Sequence, residues 1–137
     1  MKNILIIGCG LLGSSLLRRI HKKKIAKKTF IYEKSRSNIS KIKKLKLPGI
    51  IIKDLNQAVK NSDLIILCTP MSEYKNLILK MNKSLSNKHI LTDIGSSKIE
   101  SSKIIRNFLK KDVIWTQGHP IAGLSLIHIS EPTRRKH

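Results

Sequence analysis

His119 stands between Gly118 and Pro120, directly after an apolar run that reads as a strand. An imidazole in such a loop can take a proton near neutral pH, for instance from a hydroxyl whose carbon is losing hydride. A histidine merely hydrogen-bonded in a loop is the plainer reading of one such residue, and a second motif, far away in the chain, shifts the balance. Gly8-Cys9-Gly10-Leu11-Leu12-Gly13 follows one apolar run and opens an amphipathic one. Glycines at this spacing allow a sharp turn, a close approach of backbone to a pyrophosphate, and close packing of helix on strand. The pyrophosphate then meets free amides and the positive end of the helix dipole. Glu33 closes the next apolar run, 20 residues beyond Gly13. An acidic side chain there can accept two hydrogen bonds from the adenosine ribose hydroxyls. It would repel a 2′-phosphate, which favours NAD, while Lys34 and Arg36 beside it leave NADP open.

Other polar residues gather at the ends of apolar runs. Cys68-Thr69-Pro70 would lie along the nicotinamide half of a dinucleotide, although a turn with Pro70 opening a helix explains it equally well. In Asp93-Ile94-Gly95-Ser96-Ser97-Lys98, the serine and glutamate of Ser97-Lys98-Ile99-Glu100 have capping-box spacing. Ser97 is thereby accounted for, and Ser96 is left to face a cleft. His21 and His89 adjoin lysines at element ends and read as solvated.

These residues need a scaffold, and the periodicity supplies one. Strands are expected at 3–7, 29–33, 50–52, 63–68, 89–93 and 113–117. Between them lie helical patterns over 11–21, 37–45, 54–61, 71–85 and from Ser97 to about Leu109. Continuous apolar strands alternating with helices imply strands buried on both faces, hence a parallel sheet covered on each side. The expected fold is α/β, a Rossmann-type doubly wound parallel sheet, whose ligands sit beyond the carboxyl ends of the strands.

Composition excludes several other classes. With 137 residues there is room for one core. No apolar run approaches the roughly 18–20 residues of a membrane span, and Met1-Lys2-Asn3 leads into a strand rather than a signal peptide, so a cytoplasmic protein without a membrane partner is expected. Cys9 and Cys68 are too few and too far apart for a disulfide framework or a metal cage, and read as buried free thiols. The net charge of +20 invites a nucleic-acid partner. Yet its lysines are scattered through linkers and helix faces, and aromatic residues make up only 4%, so stacking platforms are scarce. A solvated basic surface with loose, salt-sensitive adhesion to polyanions, and no specific nucleic-acid site, is the expectation.

From Leu124 the pattern breaks. Leu124 to Ser130 has no polar periodicity, and arginine displaces lysine in Glu131-Pro132-Thr133-Arg134-Arg135. The string from Ser125 to Arg135 resembles a recurrent translation of sequencing-adapter DNA at the ends of truncated reading frames. Residues 124–137 are therefore read as foreign, and 1–123 as an incomplete NAD(P)-binding domain, the alternative being a natural variable tail.

GCGLLGSSL, ILCTPMSEY, LTDIGSSK and GHPIAG, in this order, resemble the prephenate/arogenate dehydrogenase family of tyrosine biosynthesis. The resemblance implies NAD(P)-dependent oxidative decarboxylation of prephenate or arogenate to 4-hydroxyphenylpyruvate or tyrosine. By its match to GHPIAG, His119 would hold and deprotonate the substrate hydroxyl. By its match to DIGSSK, Ser96 would orient that histidine and lie near the nicotinamide. The resemblance further implies a carboxyl-terminal helical domain that makes a homodimer and supplies basic groups for the substrate carboxylates. Where the family continues GHPIAG with a Thr-Glu-Lys-Ser-Gly-like segment, this chain has Leu124-Ser125-Leu126. Two other readings stand beside it: a Rossmann reductase of another small acid or imine, and a nucleotide-binding module without chemistry.

Overall fold

The computed structural model describes residues 2–94 and 98–116. Six strands, β1 (Lys2–Ile7), β2 (Ala26–Tyr32), β3 (Ile50–Ile51), β4 (Leu64–Leu67), β5 (Ile90–Asp93) and β6 (Ile114–Trp115), make one sheet in the order β3-β2-β1-β4-β5-β6. Every neighbouring pair is parallel. Chain order reverses between β1 and β4, so the loops that follow these two strands open the crevice where such sheets bind ligands. The expected doubly wound fold is present.

Side chains alternate across the pleat and build two cores. Leu5 and Ile7 of β1, with Ile65 and Leu67 of β4, face one layer with Leu55, Val59, Leu77, Ile78 and Ile105. Ile4, Ile6, Leu64 and Ile66 face the other, with Leu16, Leu17, Ile20 and Ile42. The first layer belongs to α3 (Leu55–Lys60), α4 (Tyr74–Met81) and α5 (Lys98–Phe108), the second to α1 (Leu11–Lys22) and α2 (Arg36–Lys44). Burying an aliphatic side chain of this size stabilises by about 1.5–3 kcal/mol, and the central strands bury nearly all of theirs.

Element ends differ from the expected ones at the start of β2 and at both ends of the fourth helix. β2 begins at Ala26 rather than Thr29, because Lys2 of β1 pairs with Ala26 and Asn3 with Lys28 across an irregularity. Lys27 and Lys28 thus lie in a strand and not in a linker. The helix expected over 71–85 is a 3-10 turn, Met71–Glu73, followed by α4, which ends at Met81. Past it Ser84 N bonds back to Met81 O at 2.8 Å, and the Ser84 hydroxyl reaches Asn56 Oδ1 at 2.8 Å. β6 is described only over Ile114–Trp115, and Gln117 lies outside the described residues.

His89 corrects an expectation: it is buried, not solvated. Its Nε2 lies 2.9 Å from the Val59 carbonyl and its Nδ1 accepts from the Ser86 amide at 3.0 Å. The neutral ring with hydrogen on Nε2 satisfies both contacts and ties the start of β5 to the end of α3. His21 is exposed, as expected. No helix among the described residues is long and apolar enough to cross a membrane.

Candidate nucleotide-binding site

The loop after β1 is tethered to the sheet on both sides. Gly8 N donates to Tyr32 O, and Cys68 N donates to Ile7 O, both at 2.8 Å. Gly8 has φ +87°, a left-handed conformation that strains any other residue, and a Cβ there would meet Thr69 Cγ2 at 2.6 Å. Gly13 is required for another reason: a Cβ on it would stand 2.4 Å from Gly8 O, so only glycine lets α1 come this close to the loop. Around Gly10 the space is open, with nothing within 4 Å of where a Cβ would stand.

Gly10 is also the N-cap of α1, with no side chain capping the helix and no acidic residue in its first turn. The first amides of a helix have no partners within it, so this end can receive an anion.

Glu33 follows β2 and turns its carboxylate back over the loop. Its Oε1 accepts from Cys9 N at 2.6 Å and from Asn38 Nδ2 at 3.2 Å, while Oε2 accepts from Ser35 N at 3.0 Å. Glu33 is thus held by three hydrogen bonds rather than being a loose strand end. Two cavities flank the loop. One, of about 400 Å³, is lined by Gly8, Gly10, Glu33, Ser35, Asn38 and Thr69, among others. The other, of about 410 Å³, is lined by Gly10, Leu11, Leu12, Cys68, Thr69, Pro70, Met71 and Ile94. They share Gly10 and the Cys68–Pro70 turn, which makes one cleft with a polar end at Glu33 and an apolar end at Leu11 and Leu12. Leu11 is 89% and Leu12 61% exposed, unusual for leucines opening a helix.

Burial and charge set the protonation of the groups beneath the cleft. Cys9 is buried and Cys68 half-buried, both as free thiols. Burial pushes the Cys68 thiol up to about 12, with the neighbouring Cys9 and Asp93 adding to the shift. Burial also raises Cys9; the Ser14 hydroxyl opposes the shift and Glu33 adds to it. Tyr74 is fully buried, and its hydroxyl donates to Asp93 Oδ2 at 3.0 Å. Burial first, then the Asp93 charge, raises the Tyr74 phenol far above its ordinary value. These groups are neutral at physiological pH, and Cys68 alone of them lines the cavities. The Thr69 hydroxyl oxygen is buried at the junction of the two cavities without a hydrogen-bond partner, a polar atom that a ligand could satisfy.

Of the residues expected to act, Gly8, Gly10, Leu11, Leu12, Glu33, Thr69 and Pro70 line this cleft, while Cys9 bonds to Glu33 through its amide and Gly13 packs against Gly8. Ser96 and His119, as well as the proposed cap Ser97 and residues 124–137, lie outside the described residues. Sequence reasoning missed Asn38 and Ser35. The spacing Ser35-x-x-Asn38 directly after Glu33 was the available signal: Ser35 caps α2, accepting from Asn38 N at 3.3 Å. It also missed the Tyr74–Asp93 pair, for which the linear pattern held no cue.

Residues 16–130 match the family described as prephenate dehydrogenase, nucleotide-binding domain. The chain belongs to this family. Among curated relatives, cyclohexadienyl dehydrogenase of Zymomonas mobilis subsp. mobilis is 31% identical over 122 residues, which cover 89% of this chain and 41% of that protein. Prephenate dehydrogenase of Lactococcus lactis subsp. cremoris is 34% identical over 127 residues, 90% of this chain and 35% of that one. The crystal structure of Aquifex aeolicus prephenate dehydrogenase in complex with hydroxyphenyl propionate and NAD+ superposes with a TM-score of 0.75 at 27% identity, covering 90% of this chain and 43% of that one. The chain thus spans about two-fifths of the length of these family members.

Proposed function

We propose that this chain is the NAD-binding part of a dehydrogenase that oxidises and decarboxylates prephenate or arogenate. The observation that carries the reading is the cleft at the switch point, glycine-floored, anion-ready and closed at one end by Glu33, in a chain of the prephenate dehydrogenase family. The residues present fit a dinucleotide. Gly10 and the first turn of α1 would hold the pyrophosphate, Glu33 the adenosine ribose, and Thr69, Pro70, Leu11 and Leu12 the nicotinamide half. Bound NAD supplies the hydride acceptor. The leucines offer that end an apolar surface, and Cys68, which lines both cavities, is a neutral thiol there.

His119 is the base in this reading: it holds the ring hydroxyl of the substrate and takes its proton as the carbon loses hydride. Ser96 orients the imidazole. Loss of carbon dioxide and aromatisation make the reaction strongly downhill, so the protein's task is positioning together with one proton acceptor. The complete protein acts as a cytoplasmic homodimer, with no specific nucleic-acid or membrane partner. In this reading residues 124–137 are foreign to it, although the family match runs to residue 130; their removal should leave the thermal midpoint unchanged, whereas a loss of several kcal/mol would show a packed element.

The test uses the complete protein. Turnover should require prephenate or arogenate, and His119→Asn should lower it by roughly a hundredfold to ten-thousandfold. The rate should rise with pH as the imidazole loses its proton, and that limb should vanish in the variant. Near-normal turnover with the limb intact would overturn the assignment of His119.

A further inference from the structure

We propose that Asn38 is a second reader of the adenosine ribose, sharing its two hydroxyls with Glu33 and so setting specificity for the unmodified ribose. The inference rests on the cofactor reading above. A carboxylate offers about four acceptor positions, and three on Glu33 are in use. Oε1 takes Cys9 N and Asn38 Nδ2, and Oε2 takes Ser35 N. One position remains, so Glu33 as the structure holds it can accept one ribose hydroxyl rather than two.

Two of the three occupants are backbone amides, fixed by the glycine loop and by the start of α2. Asn38 is the side-chain donor and, at 3.2 Å, the longest of the three contacts. It lines the same cavity as Glu33, Gly8 and Gly10. Its carboxamide carries a second N–H and an oxygen, so it can donate to a hydroxyl or accept from one while still resting on Glu33.

The local sequence explains why Asn38 is available. It occupies the third position of α2, three residues after the capping Ser35. In a capping box the side chain at this position reaches back to the amide of the cap. Here Glu33 Oε2 takes that amide, from outside the helix. Asn38 is relieved of the duty and turns to the carboxylate that faces the cavity.

The experiment titrates the 137-residue chain calorimetrically with ADP-ribose and with its analogues lacking the 2′- or the 3′-hydroxyl of the adenosine ribose. Asn38→Ala should weaken ADP-ribose binding about tenfold, the scale of one net hydrogen bond. Its effect on one of the two deoxy analogues should shrink to less than about twofold, because the partner of Asn38 is already absent. Glu33→Gln should show the complementary pattern, with its loss abolished by the other analogue. Asn38→Ser, which suits a helix's first turn, should repeat the selectivity of Asn38→Ala if alanine loosens α2. Equal weakening of all three ligands would reduce Asn38 to a brace for Glu33 and overturn the proposal, as would no weakening at all. Failure of the wild-type chain to bind any of the three would overturn the cofactor reading itself, a separate and recognisable result.

Discussion

At the residue scale the site is built from contacts that cross long stretches of sequence. Glu33 could be found from its spacing alone, because the distance from glycine loop to strand end is set by one helix and one strand. The occupancy of its carboxylate could not be found that way. It depends on Cys9 N, 24 residues away in sequence and 2.6 Å away in space. His89 teaches the same lesson from the other side: Lys88 beside it suggested solvent, yet the ring is buried against Val59, 30 residues earlier. The thiols yield a pH prediction. A free cysteine ionises near 8.5, whereas burial holds folded Cys68 protonated up to about 12. Between these values the unfolded chain loses a proton that the folded one keeps, so stability falls as pH rises through that window. Iodoacetamide should therefore label Cys68 slowly in the folded chain at pH 8 and rapidly after denaturation. Equally fast labelling in both states would show the thiol to be accessible and ionised.

At the element scale, periodicity located every strand and helix among the described residues, and the errors fall at ends. An apolar pattern says which face is buried but not where hydrogen bonding stops. The 3-10 turn before α4 and the stop at Met81 were hidden because Leu85 continues the buried pattern from a turn, with its amide on Met81 O. The start of β2 was hidden because two lysines obscure a strand whose partner, β1, dictates its length. Caps were hidden too: Asp54, read as the first residue of a helix, is the N-cap of α3, and Ser35 is that of α2. Asp54 accepts from the amides of Asn56 and Gln57 at the head of α3. Asp54→Ala should cost about 0.5–2 kcal/mol, the range for losing such a cap. Urea unfolding would measure it, and an unchanged midpoint would mean that α3 is held by Leu55, Ala58 and Val59 alone.

At the scale of the whole molecule, parallel pairing follows from alternation. Parallel neighbours need crossovers, each crossover here is a helix, and reversal of the winding at β1 and β4 sets the cleft beside the glycine loop. The basic surface fits the same picture. Glu33, Asp54, Asp63 and Asp93 are engaged by amides or a hydroxyl within the fold, which leaves lysines such as Lys24, Lys27 and Lys28, around a groove at the opposite edge of the sheet, to solvent.

If the glycine loop receives a dinucleotide, Gly10→Val is the substitution that must expose it. Nothing lies within 4 Å of the position a Cβ would take at Gly10, so the variant should fold and melt as the parent does. It should nevertheless obstruct the approach of a pyrophosphate to the first turn of α1. Calorimetric titration of the parent chain should give saturable binding of NAD, tighter than of NADP, and the variant should lose it by tenfold or more, about 1.4 kcal/mol. Undiminished NAD binding by a folded Gly10→Val chain, or a parent that prefers NADP, would contradict the assignment of the loop and of Glu33.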